Sequence, residues 1–447
     1  MCPRKYARPK LEERQLFCGP VSSVVNRFSH PCNFTHPDNS AITRSGHESF
    51  SRAQTLNRPI PILVPAFAHQ DKLFSSAFEV LYQAISARAF PGASIAVTHS
   101  NRLIALKSFG HFTYETNDAG APCLSRPSRQ GGDLEVKPST LFDLASLTKP
   151  LATTTAAAIL YQRGQLELEA PIIGVVPEFI ADSSGELDPR RRDVTFRMLL
   201  AHSSGLPAYE KLFLKVHSRD DLLRAAFTTP LSTAPGMHAE YSDIGFIVLS
   251  AALERLAGDS LAVFCQREIF GPLAMTHTTF NPPAATRSQI PPTSDDRTFR
   301  NRIIQGEVQD ENAFVFGGVA GHAGLFSTAE DLARFANAML HGGCPILRPE
   351  TVALFTRRES APPGTSRTLG WDTPSAPSQS GKYFGPRSFG HLGYTGTSLW
   401  IDPDREVSIT LLTNRTWPDC SNQGIKQVRP NFHNAILEAL ENHPRSK

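Results

Sequence analysis

The sequence predicts an α+β fold: an antiparallel sheet flanked by helices, with a mostly helical subdomain inserted between its two halves. Three observations lead there. Short alternating apolar runs occupy residues 92–110, similar runs return at 397–414, and stripes of helical period fill most of the stretch between. A chain with strands at both ends and helices in the middle buries both kinds of surface by closing one sheet from its two ends. The sheet is expected from about 70–125 and 385–445, and the helical subdomain from about 150–340.

Residues 1–65 show no periodicity and are rich in Arg, Asn, Pro, His and Ser, so they are expected to be a disordered tail ahead of one domain spanning 66–447. Phe74, Phe78, Leu81 and Ile85 then recur at helical spacing, and Pro91-Gly92 closes that helix. ASIAVTHS and RLIALKSFG read as two strands joined by a turn at Asn101, followed by a turn-rich loop over 114–138. From Leu147 to Arg163 the chain reads as a helix stopped by Gly164, and its lack of a charged face implies burial. TFRMLLAH and YSDIGFIVLSAALERLAG are further helices. Ser327-x-x-Glu330 reads as a capping box ahead of LARFANAML. TSLWI and EVSITLLTN flank Asp402-Pro403-Asp404-Arg405, a hairpin with proline set for a turn. A last helix is expected over about 431–441.

Composition narrows the function. The chain has 447 residues and a formal charge of only +3, with the basic excess concentrated near the N-terminus, so no nucleic-acid partner is expected. Seven cysteines at irregular spacing give neither a disulfide framework nor a zinc pattern. No run is long and apolar enough to span a bilayer, and no apolar stretch marks a secretory signal. A cytoplasmic protein is therefore expected, with export left open by the choice of start codon. Sequence leaves the oligomeric state open. The G-x-S-x-G elbow, HExxH and G-x-x-x-x-G-K are all missing.

One short stretch carries chemistry. In DLASLTKP, Ser146 and Lys149 stand three apart, neighbours on one helical face at the start of a buried helix. Free backbone N–H groups at a helix start can meet a developing oxyanion. A desolvated lysine beside a serine can accept its proton. A lone Ser-x-x-Lys also describes a capping serine with an exposed lysine. Here it is the chain's single match and opens a helix with no polar side.

FDLASLTKPLATT resembles the nucleophile segment of the penicillin-recognising serine hydrolases, a superfamily of class C β-lactamases, D-alanyl-D-alanine carboxypeptidases and related esterases. Tyr241-Ser242-Asp243 stands where that family has Tyr-x-Asn. His391-Leu392-Gly393, in FGHLGYTGTSLWIDP, is similar to the His form of its Lys-Thr-Gly strand element. FPGASIAV, RMLLAHSSGLP and GGVAGHAGLFSTAEDLARF also look like family segments, and the likeness extends over about 70–445.

The resemblance implies a β-lactamase/transpeptidase-like fold and an acyl-enzyme mechanism without metal or cofactor. It implies Ser146 as nucleophile, with Lys149 and Tyr241 handling its proton. The backbone N–H groups of Ser146 and Tyr394 would form the oxyanion hole, Asp243 and His391 would line the substrate on two sides, and Gly393 would belong to the same strand element. Two departures bear on substrate: an ionised Asp243 lacks an amide's donor, and His391 is mostly neutral near pH 7. Both weaken capture of an anionic β-lactam. The expected function is hydrolysis of an ester or D-amino-acid peptide bond in a small-molecule or peptide substrate. The alternatives are a β-lactamase and a catalytically silent peptide- or partner-binding module. His322, in the glycine-rich loop, and Asn312, in QDENA, receive no role from sequence.

Overall fold

The computed structural model describes residues 61–114 and 134–443. Its main sheet has six strands: β1 (Val64–Pro65), β2 (Gly92–His99), β3 (Arg102–Gly110), β4 (Phe389–Leu392), β5 (Ser398–Asp402) and β6 (Val407–Thr413), in the order β1-β3-β2-β6-β5-β4. The sheet is built from both ends of the described chain, and β6 pairs with β2 at its centre, Ile409 opposite Val97. All pairings are antiparallel except the two-residue pairing of β1 with β3. That edge places Val64 and Pro65 in the sheet, inside the expected tail, through the Val64 N–H to the Asn101 carbonyl. The rest of the expected tail, residues 1–60, lies outside the described residues, as does most of the expected loop after 114.

The two faces of the sheet differ because side chains alternate along each strand. Val407, Ile409 and Leu411 of β6, with Ile95 and Val97 of β2, pack with Phe78 and Leu81 of α1 (Ser75–Ser86), with Phe74 just ahead of it, and with Phe432 and Ile436 of the terminal helix. The opposite face carries Ser94, Ala96, Thr98, Ser408 and Thr410, all buried. These small side chains let the helix at Ala329–Leu340 come close, and Thr98 and Ser408 bond each other's hydroxyls at 2.6 Å.

Helices fill the middle. The expected helix at 147–163 is one continuous helical path with changing pitch: a 3₁₀ turn at Ala145–Leu147, a wide π turn at Lys149–Thr154, then α2 (Thr155–Gln162). The wide turn carries Pro150, which lacks a backbone N–H, as its second residue, and the Thr155 hydroxyl donates to the Pro150 carbonyl at 2.8 Å. The helix α3 (Asp243–Ala257) is closed by Gly258 at φ +68°. The subdomain is not purely helical. Leu325–Ser327 pairs with Phe142–Asp143 and Thr279–Phe280, and a ribbon joins Pro292–Asp296 to Arg302–Gln305.

Two sequence expectations shift. The capping box moves by one residue: Thr328, not Ser327, caps α4 (Ala329–Leu340), its hydroxyl accepting from the Asp331 N–H. The terminal helix α5 runs Ile425–Asn442, beginning before Pro430 rather than after it. Buried Ile425 and Val428 hold its first turns on the sheet despite the proline. Among the described residues, no helix is long and apolar enough to cross a membrane.

Candidate active site

Ser146 follows a strained turn. Ala145 has φ +47°, a left-handed conformation that a residue with a Cβ adopts at a cost. The turn is held by Asp143, whose Oδ1 accepts the Ala145 N–H at 2.8 Å and whose Oδ2 accepts the Gln309 N–H at 2.7 Å. Asp143 is fully buried, and burial above all pushes its carboxyl up to about 6.

Lys149 lies one turn on, with no exposed side-chain surface. Three acceptors surround its three protons: Asp243 Oδ1 at 2.6 Å, Ser146 Oγ at 3.1 Å and the His322 carbonyl at 3.1 Å. Burial works most strongly against the ammonium. The charges of Asp243 and Tyr241, with hydrogen bonds to both, outweigh it, so Lys149 titrates above its ordinary value.

Tyr241 sits with its ring centroid 4.8 Å from Lys149 Nζ. Burial, reinforced by the charge of Asp243, raises its phenol. The Lys149 charge and hydrogen bonds with Lys149 and Ser146 pull the other way without prevailing. At rest the trio therefore holds an ammonium and a protonated phenol. Ser242 is the N-cap of α3, its Oγ accepting from the Gly245 N–H at 2.9 Å. Asp243 is the first helical residue and turns its carboxylate to Lys149.

The strand side is built by the turn between β4 and β5. The Thr395 hydroxyl donates to the Asp143 carbonyl at 2.7 Å and the Thr397 hydroxyl to the Leu144 carbonyl at 3.0 Å, which pins Gly393 and Tyr394 against the chain entering Ser146. A Cβ on Gly393 would stand 2.5 Å from the Leu144 oxygen, so only glycine permits this approach. From behind, Arg429 of α5 donates to the Gly393 carbonyl at 2.7 Å and the Thr397 carbonyl at 2.8 Å.

His391 and His202 flank the Tyr241 ring, with centroids 5.9 Å and 4.7 Å from it. Both are held neutral by pKa values well below the ordinary range, first by burial and then by the cations Lys149 and Arg367. The Ser242 N–H donates to His202 Nδ1 at 3.0 Å, which ties the Tyr241 loop to the end of the preceding short helix.

Ser146, Lys149, Tyr241, Asp243 and His391 are thus brought together, with Gly393 and Tyr394 on the adjoining turn. Sequence reasoning missed His202, Asp310, Arg367 and Arg429 and gave His322 no role. His322 meets Lys149 through its main-chain carbonyl, and its ring bonds Asp310 Oδ1 at 2.8 Å. Burial tends to raise the Asp310 carboxyl, but His322 keeps it below its ordinary value. Asn312 is structural: the Phe213 N–H donates to its Oδ1, and its Nδ2 donates to the Glu210 carbonyl. The QDENA and glycine-rich segments were the available signals for Asp310 and His322, whereas nothing in sequence pairs Arg429 with Gly393.

A serine and a buried lysine on one helical turn, with a tyrosine closing over both, on a sheet with an inserted helical region, define a hydrolase of the serine β-lactamase and penicillin-binding-protein type. The chain belongs to the Beta-lactamase family, whose model matches residues 76–426. It is 33% identical over 358 residues to an N-acetylmuramyl-L-alanine amidase of Bacillus subtilis, covering 74% of this chain and 78% of that one. It is 30% identical over 380 residues to a Salmonella typhimurium protein provisionally named a D-alanyl-D-alanine carboxypeptidase, covering 78% and 84%. Among solved structures it is similar in fold to EstCE1, a hydrolase with promiscuous acyltransferase activity (TM-score 0.63, 19% identity, 83% of this chain and 100% of that one). It is also similar to an octameric penicillin-binding protein homologue from Pyrococcus abyssi (TM-score 0.61, 19% identity, 81% and 77%).

Proposed function

We propose that the protein cleaves an ester or a D-amino-acid peptide or amide bond through an acyl-enzyme on Ser146. The observation that carries this reading is the 3.1 Å contact between Ser146 Oγ and the buried Lys149 Nζ, with Tyr241 against both. In acylation Oγ bonds to the substrate carbonyl carbon, and the hydroxyl proton leaves toward the Lys149 and Tyr241 pair. The carbonyl oxygen takes the negative charge beside the main-chain N–H groups of Ser146 and Tyr394. Collapse breaks the bond to the leaving alcohol or amine, which departs with a proton, and water then releases the acid. A serine-directed phosphonate should add once, at Ser146, and the adduct should vanish in Ser146→Ala. An adduct on Ser203 or Ser204 would overturn the assignment.

The strand side favours an uncharged ester over an anionic β-lactam. His391 is neutral, Lys149 already has three acceptors, and Arg367 faces Asp372 at 3.4 Å. A charge-assisted contact is worth about 1.5–3 kcal/mol, or roughly ten- to a hundredfold in kcat/KM. p-Nitrophenyl acetate or butyrate should accordingly be cleaved with higher kcat/KM than nitrocefin. A preference for nitrocefin would replace this reading with that of a β-lactamase.

A further inference from the structure

We infer that Asp243 is the terminal acceptor of the Ser146 proton, with Lys149 as the relay between them. This rests on the reading of Ser146 as the acylated residue.

The geometry makes one continuous path, from Ser146 Oγ to Lys149 Nζ at 3.1 Å and from Nζ to Asp243 Oδ1 at 2.6 Å. An ammonium whose three protons already face acceptors cannot take a fourth. Lys149 accepts the serine proton only by giving one of its own away. Of its three partners, the His322 carbonyl is no base and Ser146 is the proton's source, which leaves the carboxylate. In one concerted step the Nζ–H bond facing Asp243 breaks and an Oδ1–H bond forms, Nζ turns the freed lone pair to Oγ, and as Oγ bonds to the carbonyl carbon the Oγ–H bond breaks and a new Nζ–H bond forms. Lys149 ends as the ammonium it began as, and the negative charge of Asp243 has moved to the substrate oxyanion.

The surroundings support this route over a tyrosinate. Asp243 adds an anion beside Tyr241, and that charge opposes loss of the phenol proton. The other charged or titratable groups around the pair are otherwise engaged. Asp310 bonds the His322 ring, Arg367 faces Asp372, and Tyr209 lies near Glu311 with its phenol raised, first by burial. His202 accepts the Ser242 N–H, and His391 is neutral and buried. Asp243 keeps 18% of its side chain exposed where Lys149 has none, so solvent can refill or drain its proton between turnovers.

The test is a proton inventory of kcat/KM for p-nitrophenyl acetate on the full-length protein, with pH profiles of the unmodified enzyme and Asp243→Asn. Two protons in flight should give a bowed inventory in the unmodified protein, and a straight line would overturn the relay. In Asp243→Asn, Lys149 must first shed its own proton to act. The acid limb should therefore move to higher pH, and kcat/KM at neutral pH should fall about 100-fold. A variant with an unmoved acid limb and a changed KM alone would make Asp243 a binding residue and sink the proposal. Should the variant not fold, the inventory of the unmodified protein decides. Phosphonate labelling separates the two readings: an adduct elsewhere than Ser146 removes the underlying mechanism, whereas an adduct at Ser146 with a straight inventory removes only the relay.

Discussion

Lys149→Met is expected to lower kcat/KM for p-nitrophenyl acetate by roughly 10³-fold or more, with a loss close to that of Ser146→Ala. Methionine keeps the unbranched chain that fills the fully buried site but brings no proton donor or acceptor. Ser146 loses its partner at 3.1 Å, and Asp243 loses its counter-ion at 2.6 Å. Breaking a buried pair costs about 3–5 kcal/mol when the survivor has no escape. Asp243 keeps some contact with solvent, so the stability loss should fall toward or below the lower end. The double variant Ser146→Ala with Lys149→Met should be little worse than either single change, because residues that act as one unit do not add. Near-additive losses would mean that Lys149 serves the fold and not the chemistry. Thermal melting of each variant separates collapse from lost catalysis.

Arg429→Met should destabilise the protein by about 3 kcal/mol and also lower kcat, although Arg429 stands on the terminal helix behind the sheet. Its guanidinium is almost wholly buried and donates to the Gly393 and Thr397 carbonyls, and through Nη1 to Gln379 at 2.8 Å. Burial, with Arg415 adding to it, draws its pKa down to about 9, so it is charged at neutral pH. Methionine leaves two carbonyls of the turn without these donors. The Tyr394 N–H then loses its fixed place beside Ser146, and a shift of even an ångström is costly at an oxyanion site. Melting temperature and pre-steady-state acylation should fall together. An unchanged acylation rate in a destabilised variant would show that the turn is held well enough by Thr395 and Thr397 alone.

The legible parts of this protein are those fixed by local chemistry. Alternation in ASIAVTHS and EVSITLLTN makes strands wherever those segments lie, because side chains two apart share a face. The uncharged run after Ser146 must be buried because it has no polar side to show water. Ser146 and Lys149 are legible as a pair because three residues along a helix bring side chains together without help from the rest of the chain. The resemblance that named Tyr241, Asp243 and His391 also rests on short local patterns.

What needed the tertiary structure is everything that joins distant segments. The partner of Lys149 is 94 positions away in sequence, and its third acceptor is a main-chain oxygen, which no residue type announces. Arg429 reads as an ordinary helix arginine until the fold sets it against Gly393. Pro430 moved the expected start of α5 because a proline's local preference is visible and the burial of Ile425 and Val428 is not. Val64 and Pro65 carry no strand signal of their own and pair because β3 leaves an edge beside them. The protonation of the site was likewise decided late. A lysine, a tyrosine and two histidines have known tendencies in water, but burial and the position of one carboxylate leave Lys149 charged and both histidines neutral. Desolvation and Coulomb energy depend on distances that the order of residues does not contain.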